Sequence, residues 1–142
     1  MPKKKKEKIT EPTWVVHCVF PEEDDITAVG EGFGNNHTHG LDNYGHRELC
    51  MPFAIEPKVA CLLLNDMGFA IVNEGRVFEE GRITGFLKND YDLMAISFDD
   101  DPTLYILVPD KNNKFPDDEG CEMPFLKQVD FARRISRNKD YV

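Results

Sequence analysis

Apolar and polar residues alternate in short runs along most of the chain, and one stretch keeps helical spacing for long. From Thr13 to Phe20, Trp14, Val16, Cys18 and Phe20 share one side of an extended chain, and Val15, His17 and Val19 share the other. Both sides are mostly apolar, which predicts an interior strand closed by Pro21. Glu22-Glu23-Asp24-Asp25 then reads as an exposed loop. Gly30, Gly32 and Gly34 alternate, but no helix pattern follows them directly. A phosphate loop needs that helix, so a glycine-rich turn or bulge is expected. Two further strands, His37 to Leu41 and His46 to Phe53, flank Asp42-Asn43-Tyr44-Gly45, which has hairpin-loop chemistry. Pro52 implies that the second of them frays or lies at a sheet edge.

Glu56 to Glu74 carries the helical stripe: Val59, Leu62, Leu63, Met67, Ala70 and Ile71, broadened by Leu64 and Val72. Pro57 suits the first helical position and Gly75 the stop. Gly68 inside the helix costs about 1 kcal/mol of propensity, which points to close packing there. Arg82 to Leu87 is a moderate strand, Tyr91 to Phe98 fits strand or helix, and Thr103 to Val108 is a strong strand closed by Pro109. Asp110 to Glu122 is loop-like, and Pro124 to Arg137 reads as a last helix with Phe125, Val129 and Ala132 inward. The predicted class is α+β, a mostly antiparallel sheet with one central and one C-terminal helix. Residues 1–12 are expected to form a disordered, lysine-rich tail, and residues 13–142 a single domain.

Charge narrows the partners. The chain of 142 residues has a net charge of -9. Five of its 17 basic residues but only one of its 26 acidic ones lie in the first eight positions, which leaves 12 against 25 in the body. Such a body repels phosphate backbones, so nucleic-acid binding by it is disfavoured. The lysine tail reads as a solvated terminus that can touch an anionic surface. Lys127, Arg133, Arg134, Arg137 and Lys139 suit the solvated face of the last helix. No run approaches the ~18 apolar residues of a membrane helix, and no apolar stretch follows the N-terminal lysines as in a signal peptide. A cytoplasmic protein with reduced thiols is therefore expected. Cys18 and Cys61 sit in apolar runs and read as small core residues; Cys50 and Cys121 are less clearly buried. No cysteine pair has the C-x-x-C spacing of a zinc knuckle or thioredoxin-type site.

The chemistry gathers at His37-Thr38-His39 and His46-Arg47-Glu48-Leu49-Cys50. If residues 42–45 form the hairpin loop, Leu41 opposes His46, His39 opposes Glu48 and His37 opposes Cys50. One sheet face then carries three imidazoles, a carboxylate and a thiol. Such a set can chelate a metal, since His-x-His on a strand is a workable chelate. It can run acid–base chemistry, with Glu48 orienting His39. It can bind a ligand by hydrogen bonds, or be a solvated face whose imidazole–carboxylate contact only stabilises pairing. A shift of one residue in register would separate the two sets. Cys50 as a nucleophile would need His37, because His46 is too far along the same strand. Asp99-Asp100-Asp101 and Asp117-Asp118-Glu119 lack a calcium-loop ligand pattern and read as solvated loops.

Thr38-x-Gly40-Leu41, Gly45-His46-x-Glu48-Leu49, the helix with Leu64-Asn65-Asp66, Val108-Pro109-Asp110 and Phe115-Pro116 together resemble a family of small bacterial proteins grouped under a domain of unknown function. The resemblance spans roughly Trp14 to Gln128. It takes in His46, Glu48, Thr38, Gly40 and Asp110. It does not take in His37 and His39, which stand where the family has an aromatic and an apolar β-branched residue; Arg47, Val108 and Asp117 also depart from it. A fainter likeness, in the Thr-x-Gly-Leu and Glu-Leu strands, is to suppressor-of-fused-like domains, which include bacterial immunity proteins. That likeness implies a binder whose acidic body masks a basic surface. The expected role is a binding or protein-interaction module with a site at His37, His39, His46, Glu48 and the outlying Asp110. The alternative is a small metal-dependent or acid–base hydrolase using the histidine cluster. No cofactor is assigned, no membrane association is expected, and an exposed edge strand offers a route to a homodimer.

Overall fold

The computed structural model describes residues 8–19, 32–54 and 56–137. The lysines before residue 8, the end of the first strand with Pro21, the acidic run at 22–25, Gly30 and Lys139 lie outside the described residues. Strands β1 (Val15–Val19), β2 (Phe33–His39) and β3 (Leu49–Phe53) lead into helix α1 (Pro57–Glu74). Strands β4 (Gly81–Ile83), β5 (Leu93–Phe98) and β6 (Asp101–Leu107) follow, then helix α2 (Gln128–Arg137). The six strands form one sheet in the order β1-β2-β3-β6-β5-β4. All neighbours are antiparallel except β3 and β6. This is the α+β arrangement that the pattern predicts. Among the described residues, no helix is long and apolar enough to cross a membrane.

The two helices cover opposite faces, because side chains alternate across a strand. Leu49, Met51, Leu104 and Ile106 pack with Trp14, Ala60, Leu64 and Met67 toward α1. Cys50 and Tyr105, between them in sequence, pack with Phe33, Phe53, Phe131, Ala132 and Ile135 toward α2. The fully buried Gln128 fixes the start of α2: its Oε1 accepts from Val108 N–H at 2.8 Å and its Nε2 donates to Val108 O at 2.6 Å. The arginines of α2 are exposed, as expected, and two of them also lie over rings. Arg134 lies 4.9 Å over the Phe33 ring and Arg133 lies 5.8 Å over Phe98.

Two glycines carry the close approaches. A Cβ on Gly68 would stand 2.5 Å from the Trp14 ring, which is the close packing its place in a helix suggests. Gly32, at φ 98 in the turn before β2, leaves no room for a Cβ beside Phe53.

Several expectations need correction. Among the described residues β1 is an edge strand, not an interior one: it pairs only with β2 there, and Val15 on its second face is 56% exposed. β3 is interior despite Pro52. Its pairing with β6 occurs at Leu49 and Cys50, so the missing N–H of Pro52 falls past those bonds. The connection between the antiparallel β2 and β3 is the expected hairpin, but its loop is longer than four residues: it contains a 3-10 turn over Leu41–Tyr44, β2 ends at His39 and β3 starts at Leu49 instead of His46. β4 is shorter than the expected 82–87 strand, and Val59 and Leu62 on α1 face solvent. The last helix starts at Gln128 rather than Pro124: Phe131 and Ile135 are buried on it with Ala132, Val129 is only half-buried, and the half-buried Phe125 lies in the 3-10 turn before it. Cys18 is exposed and Cys61 half-buried, so neither is a core residue, whereas Cys50 is buried.

Candidate metal centre

His37 and His39 project from one side of β2, since residues two apart share a face. Antiparallel pairing sets His17 of β1 directly opposite His37. The three rings meet above the sheet. His17 and His37 stack with centroids 5.6 Å apart, and His39 stands edge-on to both at 4.7 Å. One ring nitrogen from each lies within 4.8 Å of the others. His37 is buried, while His17 and His39 are exposed at the rim. His17 belongs to this group although the chain pattern did not single it out. Its only signal was a place on the second face of the first strand, and that face acquires meaning only once β1 is paired with β2.

The protonation pattern of His37 follows from its partner. Its Nδ1 lies 2.9 Å from Asn35 Oδ1, an oxygen that can only accept, so Nδ1 carries the hydrogen. Nε2 then presents a lone pair, and it faces His39 Nε2 at 3.0 Å. Asn35 Oδ1 also accepts the Cys50 thiol at 3.3 Å. Burial first, then the neighbouring His39 and to a smaller extent His17, push His37 below the ordinary imidazole range, and Asn35 and Glu48 oppose this without reversing it. The neutral ring is therefore its resting form.

Beneath the rings lies a cleft of about 230 Å³, lined by Asn35, His37, His39, Cys50, Asp101 and Tyr105 among others. Tyr105 Oη donates to Asp101 Oδ2. Burial and that bond push the Tyr105 phenol far up, so it stays a neutral donor. Burial also pushes the Asp101 carboxyl up, but hydrogen bonds from Tyr105, Thr103 and Ser136 outweigh this and hold it below the usual range. The cleft thus has a fixed carboxylate at its far wall. Complete burial raises the Cys50 thiol strongly, which removes it as a thiolate nucleophile near neutral pH.

The other expected site residues serve the fold. His37 does oppose Cys50, as the expected register has it. The predicted pairs further along, His39 with Glu48 and Leu41 with His46, are replaced by the 3-10 turn. His46 is buried away from the triad: its Nδ1–H donates to Arg47 O at 2.7 Å and its Nε2 accepts Phe78 N–H at 2.9 Å. Glu48 borders the cleft, but its carboxylate is occupied by the start of the 3-10 turn. Oε1 accepts from Thr38 Oγ1 and Leu41 N–H, and Oε2 from Gly40 and Asp42 N–H.

Asp110 organises its loop. It is buried and accepts the N–H groups of Asn112, Lys114 and Glu122 at 2.8, 3.0 and 2.9 Å. Burial raises its carboxyl, but those three donors outweigh it and hold it below the usual range. A carboxyl held low in the folded state adds stability above its unfolded value of about 4 and loses it as pH falls toward the folded value. Asp110→Asn is therefore expected to be less stable than the wild type above about pH 5, with the gap narrowing on acidification. Urea unfolding at a series of pH values measures this; a gap independent of pH would refute it.

No protein-family model, curated protein or solved structure matches this chain.

Proposed function

We propose that this protein is a binding module whose ligand is a single divalent transition-metal ion, zinc by preference, held by His17, His37 and His39. The observation that carries this reading is the Asn35 contact, which fixes the buried His37 ring with its Nε2 lone pair toward His39. Metal-ligating histidines commonly have such a partner on the other ring nitrogen. Tetrahedral zinc with Zn–N bonds near 2.0–2.1 Å places its nitrogens ~3.3 Å apart. His37 and His39 are already at 3.0 Å, and the exposed His17 on an edge strand can swing in to complete the set. Three imidazoles leave a fourth position over the cleft, as in sites that take water or a small ligand and polarise it. The residues that would meet such a ligand are the Tyr105 hydroxyl and the Asp101 carboxylate.

Calorimetric titration of the full chain with zinc chloride is expected to give one site. His37→Ala should weaken it by more than about 100-fold, and Asn35→Ala, which frees the ring but keeps all three ligands, by about 10- to 100-fold. His46→Gln should bind like the wild type, provided circular dichroism shows it folded. The absence of saturable binding by the wild type, or equal loss in His46→Gln, would sink the reading. The protein-interaction role expected from sequence has its site at His37, His39, His46, Glu48 and Asp110; Val59 and Leu62, exposed on α1 at 47% and 57%, offer a separate apolar surface for a partner. A partner held at that separate surface makes no demand on the triad, so the same titration separates it from metal binding.

A further inference from the structure

Cys18 and Cys61 come from distant parts of the chain, 43 residues apart, yet their Sγ atoms lie 3.7 Å from one another. Cys18 projects from edge strand β1 on the side opposite His17, toward α1, where Cys61 occupies the second helical turn. Cys18 is exposed and Cys61 half-buried, so a small oxidant reaches the pair. The other cysteines have different surroundings: Cys50 is buried against Asn35, and Cys121 lies in the loop beside Lys114 O. We propose that Cys18 and Cys61 are a redox pair that closes to a disulfide and staples edge strand β1 to helix α1. A disulfide needs its sulfurs near 2.05 Å, so the pair must close by roughly 1.7 Å. A change of side-chain rotamer at the exposed Cys18 moves its sulfur on that scale without moving the strand.

The oxidant is a low-molecular-weight disulfide. Burial and the Cys61 thiol raise Cys18 to about 11, so it is the small thiolate fraction present at mildly alkaline pH that attacks one sulfur of oxidised glutathione, forms a mixed disulfide and releases one glutathione thiolate. The Cys61 thiolate then attacks the Cys18 sulfur, forms the internal bond and releases the second glutathione. The two cysteines lose two electrons, the glutathione disulfide gains them, and the two thiol protons end on the released glutathiones. The consequence is mechanical. Among the described residues β1 has one strand neighbour, and a bond closing a 43-residue separation removes much freedom from the unfolded chain.

The test treats the native full-length chain with oxidised glutathione at mildly alkaline pH and maps the peptides without reduction. The expected product joins the Cys18 and Cys61 peptides, lacks two hydrogens and carries no glutathione. Its thermal midpoint should rise by about 5 °C or more and return with dithiothreitol. Cys61→Ser should instead retain glutathione on Cys18 and show no such rise. A stable glutathione adduct on wild-type Cys18, a bond to Cys121 or between chains, or an unchanged midpoint in the cross-linked protein would overturn the proposal.

Discussion

Trp14→Ala is expected to lower the unfolding free energy by about 4 kcal/mol and the thermal midpoint by roughly 10 °C. Trp14 is 4% exposed, stands edge-on to Phe69 at 5.1 Å, and donates its Nε1–H to Asn65 Oδ1 at 2.9 Å. Its loss leaves a cavity between α1 and the edge strand and an unpaired amide oxygen on Asn65. Gly68 is the other half of this contact. In an isolated helix Gly68→Ala would add about 1 kcal/mol of stability. Here the new methyl would stand 2.5 Å from an indole ring that its neighbours hold in place. Overpacking of that kind costs about 1–3 kcal/mol, so Gly68→Ala should destabilise. In the Trp14→Ala background the same change should become neutral or stabilising. Urea unfolding of the four proteins in this cycle checks the sign change; additive effects would show that the two residues do not share the contact.

Glu48→Ala is expected to cost about 3–4 kcal/mol, although Glu48 is a half-buried acid of the kind that is often dispensable. Its carboxylate accepts four hydrogen bonds, three of them from consecutive backbone N–H groups at 40–42. The fourth comes from Thr38 Oγ1, which in turn accepts Leu49 N–H at 2.9 Å. The side chain thus caps the 3-10 turn and joins the end of β2 to the start of β3. Removing it leaves several donors without a partner at once, and bonds to charged acceptors are worth about 1.5–3 kcal/mol each before compensation by water. Glu48→Gln should recover little, because its NH₂ group would face N–H donors. The affinity of any folded Glu48→Gln protein for zinc should fall far less than that of His37→Ala. Denaturation curves and the zinc titration together test this; full stability in Glu48→Ala would refute the capping role.

The elements themselves were legible because each rests on local spacing. The stripe from Leu63 to Ile71 with Pro57 and Gly75 at its ends marks α1 within a residue. Thr103 to Val108 marks β6 for the same reason, and Tyr91 to Phe98, ambiguous in isolation, is drawn into a strand by pairing with β6. The position of each strand in the sheet was not legible. An apolar second face on β1 suggested an interior strand, but the chain placed it at the edge, with Val15 exposed. Pro52 suggested an edge, but β3 lies inside because its bonds to β6 occur earlier along the strand.

The same division runs through the candidate site. Periodicity alone put His37 and His39 on one face, and the alternation of strand side chains makes that independent of any fold. It also placed His17 on the second face of its own strand, but a strand does not know its neighbour. Pairing across β1 and β2 brought the third imidazole to the other two, and it brought Cys18 and Cys61 together on the opposite side of the sheet. Tertiary structure likewise engages His46, Glu48 and Asp110 with backbone donors and acceptors. Local spacing determines which way a side chain points; only long-range pairing, stabilised by the burial of both sheet faces, decides what it meets there.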